Sequence, residues 1–509
     1  MLALPLAVVI AAATACNGPG GSGSPASDGS GGGKPVRGGS ATIAIGSAID
    51  SWNPQLAELT VSYEVFPQVY GTLLRPEPGG EKLLPGLASS YKYDAASKTI
   101  TFTIDPRAKF SNGSPVTSAD VKFSFGLWRA GAIYGSYYAS VRSVTTPDPQ
   151  TAVFHLSEPD VTLPGILATT GAAIFPNNYG GQSAGAYWKK PVSAGPFEIA
   201  SQVTGQSISL VRNPYYYRRG LPHLDKINFH VVTDDNQNLL QFESGAVDIV
   251  DNLNTAVAAQ YPQNTVVRSP SSGVSVLITQ TKVAPTDNVD FRRALSLALD
   301  YKGLLAGGYG GEGIPATSLL PQVVPGVAPC DDCEWGKTDL AQAKQLVATS
   351  GYAGQTLEIL VATASPEQLA AQAMVPMLAK AGIKASVTSV PLSTQIDRLG
   401  KGNFQLAMLS ASALAHTPLD PLGLIAGTDF MFSKADVSAA NAAVKAIHAA
   451  STQAQVTAAV KTFEQSAYDS AAVIPLVVPN ADYAVSSKVH GFKPDPYLEY
   501  VADELWVTH

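Results

Sequence analysis

From Leu357 to Ser410 the sequence alternates strand and helix, and this succession constrains the fold more than any other stretch. Leu357 to Ala364 (LEILVATA) is a near-continuous apolar run of strand length. Ser365-Pro366-Glu367-Gln368 then reads as a capping box with proline at the first helical position. Leu369, Ala373, Met377 and Leu378 line the helix that follows, and Gly382 ends it. Ile383 to Val390 is a second strand, Ser393 opens a short helix, and Asn403 to Ser410 is a third strand. Strands joined through helices run parallel in one sheet, with right-handed crossovers. Ligands of such sheets collect at the carboxyl ends of the strands. That rule singles out Thr363 to Ser365, Pro391 to Thr394, and Ser410 to Asp420, which includes Ser412.

The first half of the chain has another rhythm. Ile100, Phe102 and Ile104 alternate on one face of a half-buried strand, and Asn112-Gly113 is a turn signal. Thr117 caps a helix with Asp120 three residues on, and Val121, Phe125 and Trp128 form its apolar stripe. Thr151 to Leu156 alternates again, as do Ile227, Phe229 and Val231. This half reads as mixed α+β with antiparallel strands. Further on, Phe291, Ala294, Leu295, Ala298 and Leu299 mark an amphipathic helix behind Asp290.

The leader sets the compartment. Leu2 to Ala15 is apolar or small and ends at Cys16. It is too short to span a bilayer but suits the apolar core of an export signal. Ala13 to Cys16 (ATAC) resembles a bacterial lipobox, in which the cysteine becomes the first mature residue and carries the lipid. Ala13 stands where leucine is usual, and the first basic residue is Lys34, so Met1 is expected to lie inside a longer signal. An ordinary cleaved signal is the other reading. Asn17 to Ser40 is almost wholly Gly, Ser, Pro and Ala, a flexible tether with a span of roughly 25 Å. Lipid, tether and a large soluble body describe a protein on the outer face of a membrane.

Composition excludes several classes. Charged residues are only 14% and the net charge is -7, which lacks the basic excess of a nucleic-acid binder. No apolar run reaches the ~18 residues of a transmembrane helix. Three cysteines in 509 residues do not make a disulfide scaffold.

The catalytic motifs fail their context tests. Gly181-Gln182-Ser183-Ala184-Gly185 matches a nucleophile elbow, but Pro176, Asn177, Asn178 and Gly180 precede it where a strand is needed. An exported serine hydrolase using Ser183 is therefore a remote alternative. Gly308 to Gly313 matches G-x-G-x-x-G, yet it follows a helix rather than a strand. The histidines, at 155, 223, 230, 416, 448, 490 and 509, show no zinc-protease spacing, and neither a metal nor a cofactor is expected. Cys330-Asp331-Asp332-Cys333 is a C-x-x-C, which in an exported chain is most simply a small disulfide loop. Zinc would need further ligands, and Glu334 alone is a poor start.

Several segments, in order, resemble the solute-binding proteins of peptide-type ABC importers (family 5, the oligopeptide- and dipeptide-binding proteins). Tyr70 to Leu74 is similar to "YEGLL" and Leu84 to Ala88 to "LVPALA". The stretch from Ile100 to Val121 resembles a strand followed by F-S-D-G-x-P-x-T-A-x-D-V. Val192 to Phe197 is similar to "VGTGPY", Arg212 to Tyr216 to "RNPDYW", and Phe291 to Asp300 to "VRQALNYAID". Leu224 to Ile227 and Ser244 to Asp248 fall in family order. The resemblance implies an α/β and α+β, two-lobed periplasmic-binding-protein fold of cluster C type with an extra inserted domain. Lobe I would comprise 41–69, 187–269 and 482–509, the inserted domain 70–186, and lobe II 270–481, behind a signal over 1–15 and a tether over 16–40. It further implies a monomer that closes over a small solute and delivers it to ABC permease subunits, without chemistry on the solute.

The resemblance also bears on the ligand. In peptide-binding members the segment after the third strand reads roughly W-x-D-Y-x-D-P, and its first Asp pairs with the peptide's α-amino group. Here it reads Ala415-His416-Thr417-Pro418-Leu419-Asp420-Pro421. Thr417 at the amine position cannot neutralise a buried ammonium. The expectation is a peptide-like solute, best one without a free α-ammonium. The alternatives are an oligosaccharide, a metal chelate, an opine or a modified peptide. Candidate contacts are Trp52 after the first strand, Tyr137 and Tyr138 for stacking, Gln280 and Thr281 after the strand Val274 to Thr279, then Thr363, Ser410, Ser412, His416, Thr417 and Asp420.

Overall fold

The structure is a computed structural model that describes residues 34–508 except 58, 78–81, 132–134, 252, 255–256, 364 and 498. The leader with Cys16 and most of the tether lie outside the described residues. Three sheets organise the chain. A four-stranded antiparallel sheet has the order Ala88–Asp94, Thr99–Ile104, Thr151–Leu156, Val141–Asp148. The alternation in Thr99–Ile104 turns Ile100, Phe102 and Ile104 inward, where each is buried. The helix Ser118–Ala130 covers that face with Val121, Phe125 and Trp128. Its start is fixed by Asp120, whose carboxylate accepts from Thr117 N at 2.6 Å and Thr117 Oγ1 at 2.7 Å. Gly113, at φ +84°, makes the turn before it, a conformation that glycine adopts without Cβ strain.

A seven-stranded sheet has the order Val266–Pro270, Asn480–Val485, Ile249–Val250, Ser40–Ile45, Lys226–Val231, Ser207–Arg212, Phe197–Val203. Its centre corrects the expectation of antiparallel strands. Ser40–Ile45 runs parallel to both Lys226–Val231 and Ile249–Val250. Val266–Pro270 and Ile249–Val250 are both antiparallel to Asn480–Val485, so they share that direction. Phe197–Val203 and Lys226–Val231 are both antiparallel to Ser207–Arg212, so five strands present their carboxyl ends at one edge.

The six-stranded sheet has the order Ile314–Pro315, Val473–Val478, Gly273–Thr279, Leu406–Ser412, Leu357–Ala362, Ala385–Val390. The last three are parallel, as the strand-helix alternation predicts. The helices Pro366–Lys380 and Leu392–Lys401 connect them. Gly382, at φ +86°, follows the end of the first helix. The expected capping box is not formed. Ser365 Oγ donates back to Ala362 O at 3.1 Å instead of capping the helix.

The chain crosses between the two large sheets twice. It leaves the seven-stranded sheet after Pro270 and enters the six-stranded sheet at Gly273, then returns between Val478 and Asn480. The crossings pair with each other, Ser271 N donating to Pro479 O at 3.1 Å. The result is a two-lobed molecule of mixed α/β type. Among the described residues no helix is long and apolar enough to cross a membrane.

Candidate functional site

The two crossings decide where a site can lie. Val266–Pro270 leaves the seven-stranded sheet at the edge where its parallel strands end. In the other sheet Gly273 pairs with Ser412, so the start of one crossing strand adjoins the carboxyl end of Leu406–Ser412. Ser272 Oγ donates to Ala413 O at 2.8 Å and Ala413 N to Ser272 O at 3.0 Å, which anchors that end to the crossing. Both sheets thus turn their carboxyl edges toward each other, the position at which open α/β sheets bind ligands.

On the six-stranded side the edge carries Thr363, Ser410 and Ser412, all exposed. Thr363 N donates to Val390 O at 2.8 Å, tying two strand ends together. Ser410 Oγ donates to the buried Glu367 carboxylate. The loop that follows is closed in on itself. One oxygen of Asp420 accepts from Leu414 N and from Ala415 N, and the other from the phenol of Tyr137. Burial holds Asp420 above the usual carboxylate range, against the pull of those donors. Thr417 is wholly buried, and its Oγ1 accepts from Leu419 N at 3.2 Å. His416 lies against the Tyr497 ring at 3.9 Å, and burial lowers its imidazole to about 4. This segment holds one piece of the fold against another and leaves no carboxylate open to a solute.

Four sequence candidates lie elsewhere. Gln280 and Thr281 sit at the opposite end of the sheet, because Gly273–Thr279 runs antiparallel to Leu406–Ser412 and its carboxyl end points away from the crossings. There Gln280 Nε2 donates to Gly402 O at 3.1 Å and Thr281 Oγ1 to Ser433 O at 2.9 Å. Trp52 is buried; its Nε1 donates to Gln202 Oε1 at 2.8 Å and its ring faces Phe66. Tyr138 is fully buried and stacks on Trp128 at 5.5 Å. Ser183 is an exposed N-cap whose Oγ accepts from Ala186 N at 3.3 Å. Cys330 and Cys333 are joined by a disulfide, with Cα atoms 5.4 Å apart.

The seven-stranded side holds a wall that sequence reasoning missed. At the ends of Ser40–Ile45, Lys226–Val231 and Ile249–Val250 opens a cavity of about 330 Å³. Gly46, Ser47, Glu64, Asn238 and Asp251 are among its lining residues. The signal was present in the sequence as strand ends, but it is readable only once those strands are known to be parallel.

Residues 82–431 match the sequence profile of the bacterial extracellular solute-binding proteins, family 5, middle region. The chain belongs to this family. Among family 5 relatives, the probable D,D-dipeptide-binding periplasmic protein DdpA of Escherichia coli is 28% identical over 90% of this chain and 92% of its own. The glutathione-binding protein GsiB of Salmonella typhi is 26% identical over 71% of each chain. Among solved structures, the ABC transporter substrate-binding protein CtaP of Listeria monocytogenes superposes with a TM-score of 0.83 at 21% identity, over 93% of this chain and 100% of that one. AgaA of A. tumefaciens, in complex with agropinic acid, gives 0.75 at 24% identity, over 92% and 99%. These likenesses establish the shared two-lobed fold. In this chain the carboxyl edges of the two large sheets face each other across the paired crossings.

Proposed function

We propose that this chain is the receptor of an ABC importer, capturing a peptide-like solute between its lobes and delivering it to the membrane permease. The observation that carries this reading is the pair of facing carboxyl edges joined by two short crossings. Binding there needs only polar contacts and closure; no bond in the solute is made or broken. Relatives named for a D,D-dipeptide and for glutathione support a peptide-like ligand. On this reading Thr363, Ser410 and Ser412 supply solute contacts from one wall. On this reading one lobe comprises 41–69, 187–270 and 480–509 and the other 273–478, with 70–186 inserted. Cys16 anchors the protein to the outer face of the membrane through a lipid.

A non-peptide solute such as an opine is the second reading. It is favoured by one observation: Asp420 and Thr417 are committed to the fold, so the loop offers no partner for an α-ammonium. A thermal-shift screen of dipeptides, glutathione, opines, oligosaccharides and metal chelates separates the two. A ligand at about 100 times its Kd stabilises the fold by about 2.7 kcal/mol. The reading predicts the largest shift from a peptide-like compound. Mass spectrometry of the solute that co-purifies is the independent check. A dominant shift from a sugar or chelate, with no peptide response, would remove the peptide assignment.

A further inference from the structure

Ser40 opens the first strand of the seven-stranded sheet, so the chain enters that sheet at the edge away from the facing carboxyl ends. The six residues Ser40–Ile45 separate the two edges by roughly 20 Å. Backbone bonds hold the entering segment in place. Gly38 N donates to His223 O at 2.9 Å, and Asp225 N to Gly39 O at 2.9 Å. Ser40 pairs with Lys226, the first residue of the neighbouring strand. The 213–225 loop leaves the carboxyl end of Ser207–Arg212, which runs opposite to Lys226–Val231, so this loop lies at the same edge.

The edge is basic in a chain of net charge -7. Lys34, Arg37, Arg219 and Lys226 are exposed, and none has an ion pair among the described residues. Lys109 joins them, 5.8 Å from the centre of the Tyr215 ring. The carboxylates bonded into this edge are matched already: Asp225 by Arg212 at 2.7 Å, Asp503 by Arg218, and Glu504 by Arg218 at 2.9 Å and Lys493 at 3.0 Å. Glu198, in register two strands from Lys226, is an unpaired acid set against these cations. Burial, and next the Arg37 charge, hold the Arg212 guanidinium below its ordinary value, against the pull of Asp225. Two apolar side chains stand among the cations, Val36 at 44% and Tyr215 at 43% exposure. Uncompensated cations suit lipid phosphates, and an exposed tyrosine suits the headgroup level of a bilayer.

We propose that this edge is the face on which the receptor rests against anionic phospholipid, with Lys34, Arg37, Arg219 and Lys226 toward the phosphates and Tyr215 among the headgroups. The contact rests on the anchored-receptor reading above and deepens it. The tether brings the molecule to the surface, and the basic edge turns the cleft away from it, open to solute. The negative charge of the whole chain opposes approach by any other face. The attraction acts only within a Debye length, about 8 Å at physiological salt. Alone it is weak and released by salt, so retention in a salt-washed membrane fraction still reports the lipid.

The test uses the full chain with Cys16→Ala, which carries no lipid, and co-sedimentation at low salt with two kinds of vesicle: phosphatidylcholine alone, and phosphatidylcholine mixed equally with phosphatidylglycerol. Binding to the mixed vesicles should be at least about tenfold tighter and should fall steeply as salt is added. Arg37→Glu, Arg219→Glu and Lys226→Glu combined should weaken it at least about tenfold. All three residues are exposed and outside ion pairs, so the variant should fold. Lys302→Glu, Lys344→Glu and Lys384→Glu combined make the same charge change on exposed positions of the other lobe and should alter binding less than about twofold. Hydrogen exchange reads the orientation: mixed vesicles should protect 34–39 and 213–221 and leave 410–421 unchanged. Equal binding to both vesicles, equal loss in both triple variants, protection of 410–421, or equal affinity for soluble polyphosphate would overturn the membrane face. Solute capture would stand in each case, because the thermal-shift screen judges it without a membrane.

Discussion

The phenol of Tyr137 donates its hydrogen bond to the carboxylate of Asp420, across 283 residues of sequence. The first residue lies in the turn Gly135–Tyr138, beside the four-stranded sheet, and the second begins the helix Leu419–Gly427 beyond the six-stranded sheet. Asp420 is buried and also binds two backbone amides of its own loop. One carboxylate thus shapes a loop and docks it onto a distant part of the chain. That double use explains why Asp420 is not free for a solute.

Tyr137→Phe deletes the hydroxyl that donates to the buried Asp420 carboxylate. Hydrogen bonds to charged groups contribute about 1.5–3 kcal/mol. The variant should lose that much stability in urea unfolding, with an unchanged slope. No change in the midpoint would show that the contact carries no energy.

Two other buried carboxyls set a pH dependence. Burial raises Glu464 to about 7, although Leu319 N and Leu320 N donate to it at 2.9 and 2.8 Å. Burial likewise raises Glu499 to about 8, although Thr170 donates to it from its backbone and its hydroxyl. An unfolded Glu releases its proton near 4.5. Between that value and about 8 the folded state binds more protons than the unfolded one, so stability falls as pH rises. Unfolding midpoints should decline from pH 5 to pH 9. Glu464→Gln should flatten the part near pH 7 and leave the part near pH 8. A rising curve would contradict the burial of these groups.

What the sequence showed and hid follows from the range of the interactions. The alternation in Ile100, Phe102 and Ile104 and the strand-helix succession after Leu357 are local patterns, and both appear where they were read. The pairing of Ser40–Ile45 with Lys226–Val231 joins segments almost two hundred residues apart and leaves no local trace. Ile249–Val250 is too short to show a period. Without that parallel centre the cavity holding Glu64 could not be foreseen. Trp52 and Tyr138 illustrate another limit, because an aromatic residue in a loop or turn looks alike in sequence whether it packs inward or faces a ligand. Gln280 and Thr281 were misplaced by direction alone: a strand that enters antiparallel carries its carboxyl end away from the cleft.

The Cys330–Cys333 bond closes a very short loop. In the chain-entropy picture such a loop contributes about 2 kcal/mol. Thiol titration of the denatured, non-reduced protein should find no free thiol from this pair. Replacing both by serine should lower stability by no more than about 2 kcal/mol and leave solute affinity unchanged. Two titratable thiols would remove the bond.

Cys16→Ala should move the protein from the membrane fraction to the soluble one when the full precursor is expressed in a bacterium. The Gly/Ser/Pro segment after it separates the anchor from the folded body. The melting temperature should therefore be unchanged. Continued membrane association of the variant would remove the lipid anchor from the proposal.

Gly165 tests the packing around the 415–421 loop from the other side. It lies in the short helix Leu163–Ile166, and a Cβ there would sit 2.4 Å from the carbonyl oxygen of His416. That atom is backbone, and its neighbours Ala415 and Thr417 are fully buried, so it cannot move away as a flexible side chain could. Gly165→Ala must push the helix and the loop apart, and overpacking of this kind costs typically about 1–3 kcal/mol. Gly185, in the helix Ala184–Tyr187, is the control. A Cβ there meets nothing within 4 Å, and Gly185→Ala should be neutral or gain up to about 1 kcal/mol from helix propensity. The expected result is a lower melting temperature for Gly165→Ala alone, with the strain relieved where Tyr137 meets Asp420. A double mutant with Tyr137→Phe should then cost less than the two single losses added, because both act on one contact surface. Strict additivity would place the two residues in independent parts of the fold.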